Sequence, residues 1–382
     1  MILSDKSKYF PPTISRQLFM LAKKYSEVID FTLGDPNTST PEAICEKAFQ
    51  AVRSGYTHYT ENAGMPELRD AIAEIVSRKS GKSYSSCNVA VTNGSTEAIY
   101  LALLSIVNAG DEVMIIAPYW AQYENMVKLA GGVPIIVDRL NSEFEPDMHE
   151  LEARITTRTK AIIVNSPNNP SGHVYGLETI MGLAELVTHY NLYLFSDEVY
   201  DSFVYLSDYP RPSKFCPQSH LVHFNSCSKT YAMTGWRLGY VVADEPLIAA
   251  VTKLQQNMSV CASSMSQYAA FEALRNTRCR EEVFRKVSER RSVLLNALRS
   301  VRDVSYKEPE GAIYVFVNIG ADKMSSITFC KALLEQERVA AVPGIAFGRT
   351  FDQYIRLAYT CDAEKIVEGV ARMEHFIKKN NG

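Results

Sequence analysis

The sequence lacks the features that mark several classes of protein. Its eight cysteines stand singly, with no Cys-x-x-Cys pair, in a chain of 382 residues. This argues against a disulfide scaffold and against a cysteine-rich metal site. No apolar run approaches the length that spans a bilayer, and residues 1–8 have no apolar core followed by a small-residue cleavage site. We therefore expect a soluble protein with reduced thiols in a cytoplasmic compartment.

The chain also lacks a strong charge of either sign. Its formal net charge is −3, 22% of its residues are charged, and no charged tail is present. This composition gives no indication of a nucleic-acid-binding surface. No internal repeat or low-complexity linker interrupts the chain, and its length suffices for one large core or for two domains.

The middle of the chain alternates between strand-like and helix-like segments, from Asn88 to about Asn257. Several of the strand-like segments are continuous apolar runs, which is typical of a mostly parallel sheet covered by helices on both faces. The sequence therefore predicts an α/β domain. Its seven strands are predicted at 89–92, 112–116, 133–137, 161–164, 192–195, 221–224 and 238–242.

The two ends of the chain predict a smaller α+β domain. An N-terminal helix carries Ile14, Leu18 and Leu21 on one face, and Thr40 with Pro41 is expected to cap and start the next helix. After a long charged helix at about 280–299, the pattern predicts a strand (312–317), a helix (326–337), a strand (354–359) and a helix (363–378). We expect 45–278 to form the large domain, with 1–44 and 279–382 forming the small one.

Several predicted strands are followed by residues suited to ligand binding, which in open α/β sheets occurs at the carboxyl ends of strands. Ser95 and Thr96 open a helix after the first strand and could bind phosphate, although for this motif alone a plain Ser/Thr N-cap is the stronger interpretation. Trp120 follows the second strand and could stack on a planar ring. A buried core tryptophan is an equal alternative.

Three further residues suggest chemistry. Asn169 lies between prolines, where its amide could hold a ring oxygen, although a structural turn also explains the segment. Asp197 ends an apolar strand, where an acid is costly without a cationic partner such as a protonated pyridinium; an exposed loop acid is the alternative. Lys229 lies among small hydroxyl residues and could form a Schiff base with an aldehyde cofactor. Taken alone, a solvated loop lysine is the commoner outcome.

Three motifs together resemble one family. Asn-Asn-Pro-Ser-Gly (168–172), Ser-Asp-Glu-Val-Tyr (196–200) and Ser-x-Ser-Lys-x-x-x-Met-x-Gly-Trp-Arg-Leu-Gly (226–239) occur in the order seen in class I aminotransferases of fold type I, which depend on pyridoxal phosphate. The resemblance covers essentially the whole chain and is greatest to the aspartate, aromatic and alanine aminotransferase branch. It implies transfer of the amino group of an L-amino acid to a 2-oxo acid, which we expect to be 2-oxoglutarate. The expected mechanism is ping-pong, through pyridoxamine phosphate.

The resemblance implies roles for the residues around the cofactor ring. Lys229 would form the Schiff base and move the proton between the substrate Cα and the cofactor C4′. Asp197 would pair with the pyridinium nitrogen. Asn169 and Tyr200 would hydrogen-bond the 3′ oxygen, and Trp120 would stack on the ring. Lys229, Asp197 and Tyr200 are thus the expected catalytic residues.

The same resemblance implies a phosphate site and a shared active site. Tyr59 matches a tyrosine that reaches the phosphate from the neighbouring subunit, which implies a homodimer. The phosphate ligands from the chain itself would be Ser95, Thr96, Ser226 and Arg237.

The expected substrate site contains one residue that would bind an anion strongly. Arg356 would bind the α-carboxylate, with Gly34 close to the same group and with Asn169 and Trp120 also contacting the substrate. Aspartate-specific bacterial relatives commonly carry a lysine in the phosphate loop where this chain has Thr96. Aspartate specificity is therefore not implied.

Two alternatives to transamination stay open at this point. The first is another pyridoxal-phosphate-dependent activity on the same fold: a C–S β-lyase, a decarboxylase, a cyclase or an oxidase. The second is a regulatory module that senses the cofactor. Such modules carry a DNA-binding domain before the aminotransferase-like part, and we expect none, because few residues precede the motifs and no basic recognition helix is evident.

Overall fold

The computed structural model describes residues 3, 4, 10, 12–320 and 324–381, so the start of the predicted N-terminal segment lies partly outside the described residues. Within these ranges every helix is too short or too polar to cross a lipid bilayer. The strands are β1 (Ile29–Asp30), β2 (Val89–Thr92), β3 (Glu112–Ile116), β4 (Val133–Val137), β5 (Thr159–Asn165), β6 (Tyr193–Asp197), β7 (Leu221–Ser226), β8 (Gly239–Val242), β9 (Ser305–Tyr306), β10 (Tyr314–Asn318), β11 (Val339–Ala340), β12 (Val342–Pro343) and β13 (Tyr354–Ala358).

The helices surround these strands. They are α1 (Ile14–Ala22), α2 (Glu42–Arg53), α3 (Pro66–Ser80), α4 (Ser95–Ile106), α5 (Gln122–Leu129), α6 (Met148–Ala153), α7 (Leu177–His189), α8 (Pro212–Phe215), α9 (Cys227–Thr230), α10 (Glu245–Met258), α11 (Ser264–Arg275), α12 (Thr277–Leu298), α13 (Ser326–Glu337) and α14 (Ala363–Asn381).

The larger sheet confirms the predicted α/β architecture. Its seven strands follow the spatial order β2–β8–β7–β6–β5–β3–β4. Only β8 runs antiparallel to its neighbours, β2 and β7, and the remaining pairs are parallel. Each predicted strand is present, with ends displaced by up to two residues, because strand ends are set by hydrogen bonds that the apolar pattern does not encode.

Helices cover both faces of this sheet, which explains its continuous apolar strands. In β3, Val113 and Ile115 pack into the apolar cluster that includes α4, whereas Met114 and Ile116 pack into the cluster that includes α7. Successive side chains point to opposite faces of a strand, so each face of β3 must be apolar. Burial on both faces leaves the strand ends as the places where polar side chains reach a cavity.

A smaller sheet and a strand pair form the rest of the molecule. The smaller sheet is antiparallel in the order β12–β13–β10–β9, and β1 pairs in parallel with β11. Its core combines residues of α1, α12, α13 and α14 with Val199, Tyr200 and Phe203, which follow β6 of the larger sheet. Tyr200 therefore lies at the junction of the two sheets. The division at 45–278 stays a prediction.

The expected cap of the second helix is wrong. Helix α2 begins at Glu42 with Pro41 in the cap position, and no side chain caps it. Thr40 lies one residue earlier, where its hydroxyl donates to the carbonyl of Ala232 at 2.7 Å and accepts from Nε1 of Trp236 at 3.0 Å. The hydroxyl thus joins this loop to the segment that follows Lys229.

Candidate active site

One cavity of about 300 Å³ brings together residues that are far apart in the sequence. It lies where β2, β3, β5, β6 and β7 end, next to β10 and β13 of the smaller sheet. The predicted site residues that line it are Gly34, Ser95, Thr96, Trp120, Asn169, Asp197, Tyr200, Ser226, Lys229, Arg237 and Arg356. Tyr59 is the predicted site residue that does not line it; its side chain is 84% exposed.

Lys229 is presented by a single helical turn at the end of β7. The hydroxyl of Ser226 accepts a hydrogen bond from the amide of Ser228 at 2.9 Å, which starts this turn. The Lys229 amine donates a hydrogen bond to the carbonyl of Gly34. The pKa of Lys229 is lowered to about 8, chiefly by burial; the charge of Asp35 opposes this shift, and the positive charges of Arg356 and Arg237 add to it. Part of the amine is therefore neutral near pH 7–8, as a nucleophile or base requires.

Asp197 is a buried carboxylate at the end of β6. Tyr123 donates a hydrogen bond to its Oδ2 atom, and the amide of Val199 donates to Oδ1 at 3.3 Å. Burial raises the pKa of Asp197 to about 6, although the two hydrogen bonds act in the opposite direction. A cationic group placed beside this carboxylate would offset the cost of burying its charge.

Asn165 organises the loop that follows β5. Its amide donates to the carbonyl of Asp197 at 2.9 Å, and its Oδ1 atom accepts from the backbone amide of Asn169 at 2.8 Å. Both contacts are buried, so the position of Asn169 is tied to that of Asp197.

Arg356 is buried, with 6% of its surface exposed. Its Nη1 donates to Oδ1 of Asn169 at 2.9 Å and its Nη2 donates to the carbonyl of Thr32 at 2.6 Å. Its Nε has no hydrogen-bond partner among the described residues. A buried guanidinium without a paired anion is costly, so this arrangement suits an anion such as a carboxylate.

The start of α4 forms an anion cradle with Arg237. The cap position is Gly94, at φ 90°, and no side chain caps the helix, so the amides of Ser95 and Thr96 stay available to an anion. The Arg237 guanidinium lies against Gly94, where an added Cβ would meet its Nη2 at 2.4 Å. Because the cap is Gly94, the plain Ser/Thr N-cap interpretation of this segment is wrong.

Trp120 completes the wall of the cavity. Its ring meets the ring of Tyr123 edge-on, with centroids 5.4 Å apart. Tyr123 and Tyr314 also line the cavity, and neither was predicted from the sequence. Tyrosines inside an amphipathic helix or an apolar strand are typical core residues, so no signal in the sequence set them apart. Asn165 was not predicted either, because the sequence motif marks the asparagine pair at 168–169 and gives no separate signal for Asn165.

The cavity fits pyridoxal 5′-phosphate by its chemistry. It offers an amine of lowered pKa for an aldehyde, a buried carboxylate for a ring cation, and free amides with a guanidinium for a phosphate. An aromatic wall and a second, separate guanidinium complete it. Each ionic group of the cofactor would meet a group of opposite charge.

Comparison with known proteins agrees with this chemistry. The family model for aminotransferase class I and II matches residues 26–373. An aspartate aminotransferase of Pyrococcus horikoshii is 40% identical in an alignment of 365 residues that covers 94% of this chain and 93% of that protein. The aromatic-amino-acid aminotransferase 2 of Thermococcus litoralis is 35% identical, over 99% of both chains. The crystal structure of aspartate aminotransferase from Thermotoga maritima superposes with a TM-score of 0.93 at 34% identity, covering 98% of this chain and all of that one.

Proposed function

This chain belongs to the family of class I and II aminotransferases, and from that premise we propose the role of each cavity residue, the assembly of the site and its range of substrates. The protein moves an amino group between an amino acid and a 2-oxo acid and depends on pyridoxal 5′-phosphate. When bound, this cofactor supplies an aldehyde for the amino group and a protonated ring that withdraws electrons from the substrate Cα.

Lys229 is the proposed nucleophile and proton carrier. Its pKa of about 8 leaves part of the amine neutral near neutral pH, so it would be able to attack the cofactor aldehyde, with loss of water, and later to take the proton from the substrate Cα. The carbonyl of Gly34 holds the amine in place. Lys229 would then return the proton at C4′, and release of the 2-oxo acid would additionally consume one water molecule.

Asp197 is the proposed partner of the protonated ring nitrogen. Tyr123 and the amide of Val199 fix the orientation of its carboxylate. At neutral pH this carboxylate is mostly ionised, because its pKa is about 6. Its negative charge would keep the ring nitrogen protonated.

Arg356 is proposed to bind the substrate α-carboxylate, and Asn169 is proposed to bind the 3′ oxygen of the cofactor. Since Oδ1 of Asn169 accepts from Arg356, the Asn169 NH₂ is left to donate to the 3′ oxygen, together with the hydroxyl of Tyr200. The free Nε of Arg356 would donate to the α-carboxylate, with Gly34 and Trp120 beside the substrate. The cradle formed by Ser95, Thr96 and Arg237 would hold the phosphate, with Ser226 lining the cavity beside it, although the Ser226 hydroxyl already donates to the carbonyl of Leu238 at 3.0 Å.

The proposed assembly is a homodimer in which Tyr59 completes the phosphate site of the partner subunit. An exposed apolar surface supports this assembly. It includes Phe49, Val52, Tyr56, Met258 and Met265, beside Tyr59, on α2, on the loop that follows it, at the end of α10 and at the start of α11. The eight unpaired cysteines support the further proposal of a reducing, cytoplasmic location.

The proposed substrate range is broad, with 2-oxoglutarate as the acceptor. The cations that line the cavity are Lys229, Arg237 and Arg356, and each already has a proposed partner. A distal carboxylate would have to be met by neutral donors of this chain, of which Thr13, Ser15 and Gln122 line the same cavity, or by the partner subunit. The site should therefore accept neutral or aromatic donors as well as acidic ones.

The convergence of Lys229, Asp197 and Arg356 on one cavity is the observation that carries this proposal. The test measures kcat/KM in the amino-donor half-reaction for aspartate, glutamate, phenylalanine and alanine. We expect aspartate and phenylalanine to differ by less than about a hundredfold, since each cation that lines the cavity in the described part of the chain has another proposed partner. The Thr96→Lys variant should then favour aspartate. Strict selectivity for aspartate in the unaltered protein, or release of carbon dioxide or of pyruvate with sulfide, would overturn the proposal.

A further inference from the structure

Tyr314 lies between two residues of the proposed site. It is on β10 of the smaller sheet, and 2% of its surface is exposed. Its hydroxyl is 2.8 Å from the hydroxyl of Tyr200, and the Arg356 guanidinium carbon is 4.3 Å from its ring centroid. We propose that Tyr314 is a positioning residue for the reaction, whose hydroxyl donates to Tyr200 and aims the Tyr200 proton at the 3′ oxygen of the cofactor.

The direction of this hydrogen bond follows from proton counting. A tyrosine hydroxyl has one proton to donate. If Tyr200 donates it to the 3′ oxygen, as proposed above, the bond between the two hydroxyls must use the proton of Tyr314. Tyr200 then accepts from one side and donates to the other, and each bond in such a chain strengthens the next.

The surroundings of Tyr314 fix its hydroxyl in place. A Cβ atom on Gly34 would lie 1.9 Å from the Tyr314 oxygen, so residue 34 must be glycine for the hydroxyl to reach Tyr200. On its other side the ring of Tyr200 meets that of Tyr314 edge-on, with centroids 5.6 Å apart. A hydroxyl held this closely loses little further entropy when it orients its neighbour.

The hydroxyl and the ring of Tyr314 contact different neighbouring residues. The hydroxyl contacts Tyr200, whereas the ring face supports the guanidinium of Arg356. Tyr314→Phe removes the first contact and retains the second. The Tyr314→Phe variant can therefore separate an effect of the hydroxyl on the 3′ oxygen from an effect of the ring on the packing of the cavity.

Loss of the Tyr314 hydroxyl should alter one property of the bound cofactor. Hydrogen bonds to the 3′ oxygen favour its anionic form, so a weaker Tyr200 donor raises the pH midpoint of the visible absorbance change of bound pyridoxal phosphate. We expect a rise of roughly half to one pH unit in Tyr314→Phe, the shift that one hydrogen bond corresponds to. Its affinity for a non-reacting carboxylate such as propionate should stay within about twofold, since the ring beneath Arg356 remains.

The experiment titrates the absorbance of five cofactor-loaded proteins: the unaltered chain, Tyr314→Phe, Tyr200→Phe, the double variant and Tyr359→Phe. Tyr359 is the matched control, a buried tyrosine whose hydroxyl donates to the carbonyl of Ala312 at 3.0 Å. The inference requires that Tyr314→Phe raises the midpoint, that Tyr359→Phe does not, and that Tyr314→Phe adds nothing once Tyr200 is phenylalanine. Thermal unfolding of each apoprotein verifies that it folds.

Three results would overturn the inference in distinguishable ways, because it rests on the proposed role of Tyr200. An unmoved midpoint in Tyr314→Phe, beside a raised one in Tyr200→Phe, refutes the role of Tyr314 alone. An equal shift by Tyr314→Phe in both backgrounds also refutes it, since the effect would not pass through Tyr200. An unmoved midpoint in Tyr200→Phe refutes the proposed function of Tyr200 together with this inference.

Discussion

Arg356 donates a hydrogen bond from Nη1 to Oδ1 of Asn169 at 2.9 Å. The bond connects β13 of the smaller sheet to the loop that follows β5 of the larger one. It engages the amide oxygen of Asn169 and leaves the NH₂ of the same side chain as the remaining donor. The residue proposed to bind the substrate carboxylate thus also orients a residue proposed to bind the 3′ oxygen.

Replacing Arg356 by lysine should weaken substrate binding although the positive charge is kept. A lysine ammonium cannot reproduce the planar set of donors that reaches Asn169, Thr32 and an additional anion at once. We expect the KM for amino acids to rise by a factor equivalent to about 2–5 kcal/mol, with bound cofactor still present. Steady-state kinetics of the donor half-reaction measures this.

Arg349→Lys is the matched control for that variant. Arg349 lies in the short helical segment Arg349–Phe351, is exposed, and does not line the cavity. Its replacement should leave the KM unchanged. Equal KM values for the Arg356→Lys variant and the unaltered protein would rule out Arg356 as the carboxylate ligand.

Asp197→Asn should raise the free energy of unfolding of the apoprotein and weaken the binding of the cofactor. The folded-state pKa of Asp197 is raised from 3.8 to about 6, so the folded chain binds this proton more tightly than the unfolded chain does. Its contribution to stability is complete below pH 4 and is lost as the pH rises through about 6. At pH 7.5 the apo variant should gain on the order of 2 kcal/mol in free energy of unfolding, an advantage that disappears at pH 4.

Bound cofactor should favour aspartate over asparagine at this position, because a protonated ring nitrogen would pair with the Asp197 carboxylate. The dissociation constant of pyridoxal phosphate should therefore rise at least about tenfold in Asp197→Asn. Urea unfolding of the apoprotein and equilibrium dialysis of the cofactor measure the two effects. Asp244→Asn is the control, since burial also raises the pKa of Asp244 but the residue lies outside the cavity. Tighter cofactor binding by Asp197→Asn would contradict the proposed pairing.

The sequence predicted the ionic groups of this site better than their neutral partners. Asp197, Lys229 and Arg356 were predicted because motifs or strand ends mark them, and all three line the cavity. Tyr123 and Tyr314 were not, because a buried tyrosine resembles any core residue until its hydroxyl partner is known.

The prediction that Thr40 caps the second helix was wrong for a similar reason. Its partners, Ala232 and Trp236, are almost two hundred residues away in the sequence, and no local pattern encodes contacts at that distance. Strands and helices follow from local periodicity. The hydrogen bonds that orient side chains between two sheets depend on tertiary contacts.

Lys229→Ala should abolish the covalent attachment of the cofactor. Borohydride reduction followed by peptide mass analysis should place the cofactor on Lys229 in the unaltered protein and find none in the variant. The initial rate of attachment to the apoprotein should rise with pH and level off above about 8, because the pKa of Lys229 is lowered to that value and the neutral amine is the nucleophile.

Lys82→Ala is the matched control, since burial lowers the pKa of Lys82 as well, but its amine donates to the carbonyl of Cys216 outside the cavity. The rate of covalent cofactor attachment in this variant should equal that of the unaltered protein. A cofactor adduct on any other lysine, or a rate that keeps rising to pH 10, would refute the assignment of Lys229.

Mixing two damaged chains should restore activity if Tyr59 serves the partner's site. The side chain of Tyr59 is 84% exposed and outside the cavity of its own chain. In a mixed dimer of Lys229→Ala and Tyr59→Ala chains, one site would carry both changes and the other neither. Random exchange of equal amounts makes half of the dimers mixed, so about a quarter of full activity should return. If Tyr59 acts in its own chain, every site in the mixture keeps one change, and activity stays at the average of the two separate variants.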